Sequence, residues 1–130
     1  MAGNAEVLQR GYEAFGNGDL EGAMQDFADD ITWEGPNADG LPDSGTHTGK
    51  DQVGQMFQKV VETYGQDLSV SADEFHEDGD TVIVLGHLEA SPNGSHFKVP
   101  YAHVWRFEGG KASRMQALFD TAVVKEALGA

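Results

Sequence analysis

The 130-residue chain contains no cysteine, few basic residues and no long apolar run. The absence of cysteine excludes disulfides, thiolate nucleophiles and cysteine-ligated zinc or iron–sulfur sites. Eight Lys and Arg stand against 22 Asp and Glu, which gives a formal net charge of −14. An acidic surface of this strength repels phosphate backbones and anionic headgroups. We therefore expect no nucleic acid and no membrane among the partners.

Other missing features bound the class of protein. No apolar stretch approaches the ~20 residues of a membrane-spanning helix, and the N-terminal residues lack the basic and then apolar order of a signal peptide. With no cysteine, these features favour a cytoplasmic protein. A chain of this length buries about two-thirds of its unfolded surface. Since no repeat or linker divides the sequence, we predict one domain over residues 1–130 that has room for an internal pocket.

Apolar residues at helical spacing predict three helices in the first half of the chain. The first is predicted over residues 4–16. Asp19 is predicted to cap a second, shorter helix whose apolar stripe runs as far as Phe27. Thr48 is predicted to cap a third helix, which ends at Gly65.

The remaining pattern predicts strands. Residues 31–34 form a short predicted strand, and the Gly-, Pro- and Ser-rich residues 35–49 form a long loop that is a candidate lid. After the third helix the period changes from 3.6 to 2, which predicts strands over residues 68–73, 81–89, 97–107 and 111–120, and then a tail helix over residues 121–128. Helices followed by an antiparallel meander indicate an α+β fold with the helices across one face of a curved sheet.

Four short motifs occur in a characteristic order: ADDITWEGP at residues 28–36, SGTHTGK at 44–50, AHVW at 102–105 and FDT at 119–121. Together they resemble the NTF2-like superfamily and, more narrowly, its SnoaL-like, ketosteroid-isomerase-related branch. The resemblance implies a hollow α+β cone, in which a curved, mostly antiparallel sheet wraps around the N-terminal helices and an apolar internal pocket. It also implies a homodimer that forms through the outer face of the sheet, and chemistry that needs no cofactor.

The ketosteroid isomerase triad, an Asp base with an oxyanion hole of Tyr and protonated Asp, is not matched. The position of the general base falls on Gly35, and that of the oxyanion tyrosine falls on Gly11, one residue before Tyr12. The position of the oxyanion aspartate falls near His103. The resemblance therefore does not imply steroid isomerisation.

One position matches a catalytic residue of the branch. Asp120, at the end of the last predicted strand, falls where SnoaL-like polyketide cyclases place an acid–base aspartate. A carboxyl group among apolar side chains has a raised pKa, which suits proton transfer. His103, on the neighbouring predicted strand, is the expected catalytic partner. The alternatives are that Asp120 caps the tail helix and that His103 is a core or interface residue.

Further side chains are predicted to line the pocket or to stay outside it. The predicted substrate-binding residues are Tyr12, Phe15, Trp33, Phe57, His87 and Trp105. His47 lies in the predicted loop and is either a site residue or a solvated one. No two histidines have the close spacing of a local metal-binding pair. We therefore predict no metal site.

Three functions compete on this evidence. The first is a cofactor-independent enzyme that isomerises, cyclises or dehydrates a small apolar substrate, with Asp120 transferring protons and His103, His87 or Tyr12 polarising an oxygen. The second is a non-catalytic ligand-binding or dimeric scaffold protein. The third is an adaptor whose acidic surface meets a basic partner.

Overall fold

Three helices and two strands precede a run of four strands and a final helix in the computed structural model, which describes residues 3–129. Four helices and six strands are defined over this part of the chain: α1 (Asn4–Gly16), α2 (Leu20–Ala23), β1 (Phe27–Glu34), β2 (Thr46–Thr48), α3 (Lys50–Tyr64), β3 (Ser69–Asp78), β4 (Thr81–Ala90), β5 (Phe97–Glu108), β6 (Lys111–Phe119) and α4 (Thr121–Leu128). A short 3₁₀ turn, Pro92–Gly94, joins β4 to β5.

All six strands belong to one curved sheet in the order β2-β1-β6-β5-β4-β3. Every neighbouring pair is antiparallel except β1 and β6, which are parallel. The predicted α+β class and the mostly antiparallel sheet around the N-terminal helices are confirmed. Alternation along β5 shows why: every second residue from Phe97 to Phe107 is buried, and the residues between them are more exposed.

The sheet bends sharply where β3 meets β4. The register shifts between Ala72 and Glu74, and a bulge of this kind bends a strand. Opposite it, a Cβ at Gly86 would lie 1.8 Å from the carbonyl oxygen of Ser71. Only glycine permits this close approach. The bend keeps β3 beside α1, and a space remains between the helices and the inner face of the sheet.

Helix α2 is shorter than predicted, and β1 is longer. The helix ends at Ala23, and the chain turns into β1, which begins at Phe27 rather than at residue 31. The N–H of Phe27 donates to the carbonyl of Met24 at 3.0 Å, and Phe27 then pairs with Ala112 of β6. Pairing with β6 therefore overrides the apolar stripe that suggested more helix.

The start of α3 also differs from the prediction. Thr48 belongs to β2, and the cap position is Gly49, with φ of 87° and no side-chain cap. The Gln52 side chain reaches back instead, because its Oε1 accepts from the Thr48 N–H at 2.9 Å. The predicted loop of residues 35–49 therefore contains a strand, β2, which holds its end against β1.

Candidate functional site

A cavity of about 310 Å³ lies between the helices and the inner face of the sheet, a size that suits a small molecule. Exposed Arg10, Asp19 and Gln25 contribute to its wall, and we place its mouth there. The other wall residues are mostly apolar or aromatic and include Leu8, Phe15, Phe27, Trp33, Met56, Phe57, Val60, Trp105 and Phe119.

Aromatic rings pack edge to face along the wall. Trp33 lies 5.1 Å from Phe57 and 5.6 Å from Trp105 between ring centroids, with both pairs close to perpendicular. Phe15 contacts Phe57 in the same way at 5.4 Å. Rings in this geometry attract one another through complementary edges and faces. These contacts join the rings into one continuous apolar part of the cavity wall.

The first polar group in the cavity is a network around His103. The side chain of His103 is buried, and its Nδ1 lies 2.5 Å from the hydroxyl oxygen of Tyr12. That oxygen also accepts from Trp105 Nε1 at 3.0 Å. The Tyr101 ring stacks on His103 with centroids 4.0 Å apart, and its hydroxyl donates to the Ser71 carbonyl at 2.8 Å. The imidazole is thus held on two sides.

Burial determines the protonation of this network. It lowers the pKa of His103 to about 3 and raises the pKa of Tyr12 well above its usual value, so both are neutral near pH 7. Trp105 can only donate, and it therefore occupies a lone pair of the Tyr12 oxygen. We assign the phenol proton to the bond with His103 Nδ1, which leaves the imidazole proton on Nε2. Neutral His103 then has an N–H group available as a donor.

The second polar group was missed by sequence reasoning and comes from the loop. Asp43 contributes to the cavity wall, and its Oδ1 is buried without a hydrogen-bond partner in the described structure. Burial raises the pKa of the Asp43 carboxyl, while its own backbone N–H and His47 lower it by less. The only signal in the sequence was an acid directly after the apolar Leu41-Pro42 pair in an otherwise polar loop.

Tight main-chain contacts fix the position of Asp43. The loop closes at its base, where Gly35 N–H donates to the Gly45 carbonyl at 2.9 Å and Gly45 N–H donates to the Pro36 carbonyl at 3.0 Å. A Cβ at Gly35 would lie 1.7 Å from the carbonyl oxygen of Asp43. Leu41 anchors the loop from the other side, since it is buried in a cluster with Tyr64.

Six of the eight residues predicted for the site lie in the cavity wall: Tyr12, Phe15, Trp33, Phe57, His103 and Trp105. The placement of His87 in the pocket is wrong. His87 is on the outer face of β4, where its Nδ1 lies 2.9 Å from Asp73 Oδ2. The residues of β4 that face inward are instead Val82, Val84 and every second residue after them.

The predicted placement of Asp120 in the pocket is also wrong. Asp120 is exposed, and it caps α4 by accepting from the Val123 N–H at 3.3 Å. Strand β6 ends one residue earlier, at Phe119, which is a wall residue of the cavity. Helix α4 starts immediately afterwards and buries Val124. The Asp120 carboxylate therefore caps α4 and does not line the cavity.

Replacing Asp120 with alanine should therefore cost stability and leave binding unchanged. Loss of an N-cap destabilises a protein by about 1 kcal/mol, measured by urea unfolding. Asp120→Asn is the matched control, because asparagine also caps helices and should retain most of the stability. A fall in ligand affinity in both variants would instead show that Asp120 takes part in ligand binding.

The curved sheet and its enclosed cavity define an NTF2-like protein. The sequence profile of the SnoaL-like domain matches residues 8–115, so the chain belongs to the SnoaL-like family. The predicted superfamily and branch are confirmed. A comparison with curated proteins finds no match.

Solved structures agree with this assignment. An NTF2-like protein of unknown function from Burkholderia pseudomallei is 34% identical, with a TM-score of 0.88 and full coverage, 100%, of both chains. TerC, co-crystallized with polyporic acid, is 30% identical, with a TM-score of 0.87 and 98% of each chain covered. A Catenulispora acidiphila protein with a ketosteroid isomerase-like fold, in complex with trimethylamine, is 19% identical, with a TM-score of 0.80 and coverage of 95% and 92%.

Over residues 3–129, no three His, Asp or Glu side chains group together as a metal site would require. None of the helices in that part of the chain has the length and apolar character to cross a membrane.

Proposed function

We propose that the protein binds a small, flat, largely apolar molecule and directs one oxygen atom of it towards His103 for cofactor-independent acid–base chemistry. The observation that carries the proposal is a buried, neutral His103 held by Tyr12 in an aromatic cavity. An apolar pocket with a few oriented polar groups is the usual form of a small-molecule site.

The low pKa of His103 decides its role. An imidazole with a pKa of about 3 is a weak base near pH 7, where general bases work best with a pKa close to the operating pH. Neutral histidine instead donates from Nε2 to a carbonyl or hydroxyl oxygen, as a neutral imidazole polarises a carbonyl in other enzymes. Isomerisation, cyclisation and dehydration all shift negative charge onto such an oxygen, which a fixed donor in a dry site stabilises.

The comparison with TerC supports an organic ligand of this kind. TerC shares 30% of its sequence with this chain over 98% of both, and it was co-crystallized with polyporic acid. Polyporic acid is therefore the first probe to use. The alternative of a non-catalytic ligand-binding protein requires the same cavity, and the two differ only in what happens to the bound molecule.

The assembly and location that we propose are a homodimer in the cytoplasm. Apolar Ile83 of β4 and Leu118 of β6 lie on the outer face of the sheet and are 38% and 58% exposed. Such exposed apolar side chains support a contact between two sheets. The absence of cysteine supports the reducing compartment.

Binding of polyporic acid should change the intrinsic fluorescence, because the only two tryptophans of the chain, Trp33 and Trp105, both contribute to the cavity wall. We expect His103→Gln to weaken binding about five- to tenfold, as one buried hydrogen bond is worth ~1–1.4 kcal/mol. His76→Gln is the matched control, since His76 is exposed.

Equal affinity of the His103→Gln variant and the wild type, with an unchanged circular dichroism spectrum, would contradict the proposal. Mass spectrometry of the incubated ligand in D₂O separates the two functions. Product formation or deuterium uptake supports catalysis, and binding without either favours the non-catalytic alternative.

A further inference from the structure

Three side-chain polar atoms are buried and have no hydrogen-bond partner among residues 3–129. They are Trp33 Nε1, Asp43 Oδ1 and His47 Nε2. Buried polar atoms are almost always paired in folded proteins, because an unpaired one costs its full desolvation free energy. Two of these atoms, Trp33 Nε1 and Asp43 Oδ1, belong to residues of the cavity wall and are therefore open to pairing with a ligand in the cavity.

The sheet and the loop bring these atoms together. Trp33 of β1 is the direct antiparallel partner of His47 in β2, and directly opposed residues project to the same face. His47 follows Asp43 by four residues and lowers the pKa of its carboxyl through charge. Trp33 and Asp43 both belong to the cavity wall. A ligand in the cavity thus approaches the group from the side of these two residues.

We propose that Trp33 and Asp43 form a subsite for a hydroxyl group of the ligand. The indole N–H can only donate, and an ionised carboxylate can only accept. A hydroxyl group satisfies both, because it accepts from Trp33 Nε1 and donates to Asp43 Oδ1. The Nε2 atom of His47 takes no part in this hydroxyl subsite.

Other ligand groups fit this pair less well. A carbonyl oxygen pairs with Trp33 but leaves Asp43 without a donor. A carboxylate or phosphate is repelled by Asp43, and an ammonium group leaves the indole N–H unpaired. The Trp33 N–H and the Asp43 carboxylate together therefore favour a neutral ligand group that can both accept and donate a hydrogen bond.

This subsite rests on the proposed function, because the same molecule must also reach His103. The rings of Trp33 and His103 meet edge to face with centroids 6.5 Å apart, and both residues belong to the cavity wall, so one ligand in the cavity can contact both. The ligand class that we infer is a flat aromatic molecule with an oxygen function at each end, at least one of them a hydroxyl.

Calorimetric titration with 2-naphthol and 2,6-dihydroxynaphthalene tests the subsite. We expect the wild type to bind the diol at least tenfold more tightly than the mono-ol. In Trp33→Phe, which keeps an aromatic ring, and in Asp43→Leu, which keeps a side chain of similar size, the ratio should fall below threefold. Asp39→Leu is the matched control, because Asp39 is an exposed acid in the same loop.

The ratio compares the two naphthols within one variant, so a change of affinity that is common to both ligands cancels, and an unchanged circular dichroism spectrum shows that each variant is folded. A wild-type ratio below threefold, or a tenfold ratio that survives in both variants, overturns the hydroxyl subsite and leaves the His103 proposal standing. Absence of binding of both naphthols and of polyporic acid contradicts the proposed function and the subsite together.

Discussion

Replacing Gly35 with alanine should displace the loop that carries Asp43 and lower both the stability and the ligand affinity. The added Cβ would meet the Asp43 carbonyl oxygen at 1.7 Å and the Gly45 carbonyl oxygen at 3.2 Å. Both are main-chain atoms, which yield less readily than the end of a flexible side chain. Overpacking of this kind costs about 3 kcal/mol. We also expect at least a tenfold loss of affinity for polyporic acid.

Gly45→Ala separates the clash from ordinary glycine effects. Gly45 lies at the base of the same loop with φ of 87°, and nothing would lie within 4 Å of an added Cβ. Alanine there carries only the strain of a left-handed backbone, about 1–2 kcal/mol, and should leave binding nearly unchanged. Urea unfolding and calorimetric titration measure both effects. Equal losses in the two variants would show that Gly35 has no special role.

The role of Gly35 also explains why the ketosteroid isomerase pattern fails at this point. The family resemblance puts the general base of those enzymes at Gly35, where this chain has no side chain at all. The space is taken by the main chain at Asp43. Asp43 of the loop is instead the carboxylate that contributes to the cavity wall near this point.

The site residues on regular elements could be predicted because their period is fixed. Alternation along β5 puts His103 and Trp105 on the aromatic face, and that face is buried. Helical spacing likewise places Tyr12 and Phe15 on the side of α1 that faces the cavity. The contact between Tyr12 and His103 could not be predicted, because it depends on how α1 lies across the sheet.

The site residues that were predicted wrongly or missed lie where the hydrophobic pattern of the sequence is ambiguous or absent. Both faces of β4 are apolar, with Val82 and Val84 inward and Ile83 outward, so alternation alone could not decide the side on which His87 lies. Asp120 lies at a junction where one residue ends a strand and caps a helix. Asp43 lies in a loop without any period, and its position depends on long-range main-chain contacts.

The stability of the wild type should fall steeply in acid because of His103. Its pKa is about 3 in the folded protein and ~6.5 in the unfolded chain. Between these values the unfolded chain binds a proton that the folded protein does not, so the free energy of unfolding decreases as the pH falls from 6.5 towards 3. At about pH 4.5 the loss from this group is ~2.5 kcal/mol relative to pH 7.

Asp43 acts with the opposite sign, since burial raises the pKa of its carboxyl. The folded protein then binds this proton more strongly than the unfolded chain, so this carboxyl offsets part of the acid loss near and below its folded pKa. The contribution is common to the wild type and to a variant at His103. A difference between the two proteins therefore isolates the histidine.

Urea unfolding of wild type, His103→Gln and His76→Gln at pH 7 and about pH 4.5 makes this comparison. His103→Gln should lose ~2.5 kcal/mol less than the wild type on acidification, whatever its stability at pH 7. His76→Gln, an exposed control, should follow the wild type. If His103→Gln loses as much as the wild type, the pKa of His103 in the folded protein is close to its unfolded value, and the imidazole is not the desolvated, permanently neutral donor on which the proposed function rests.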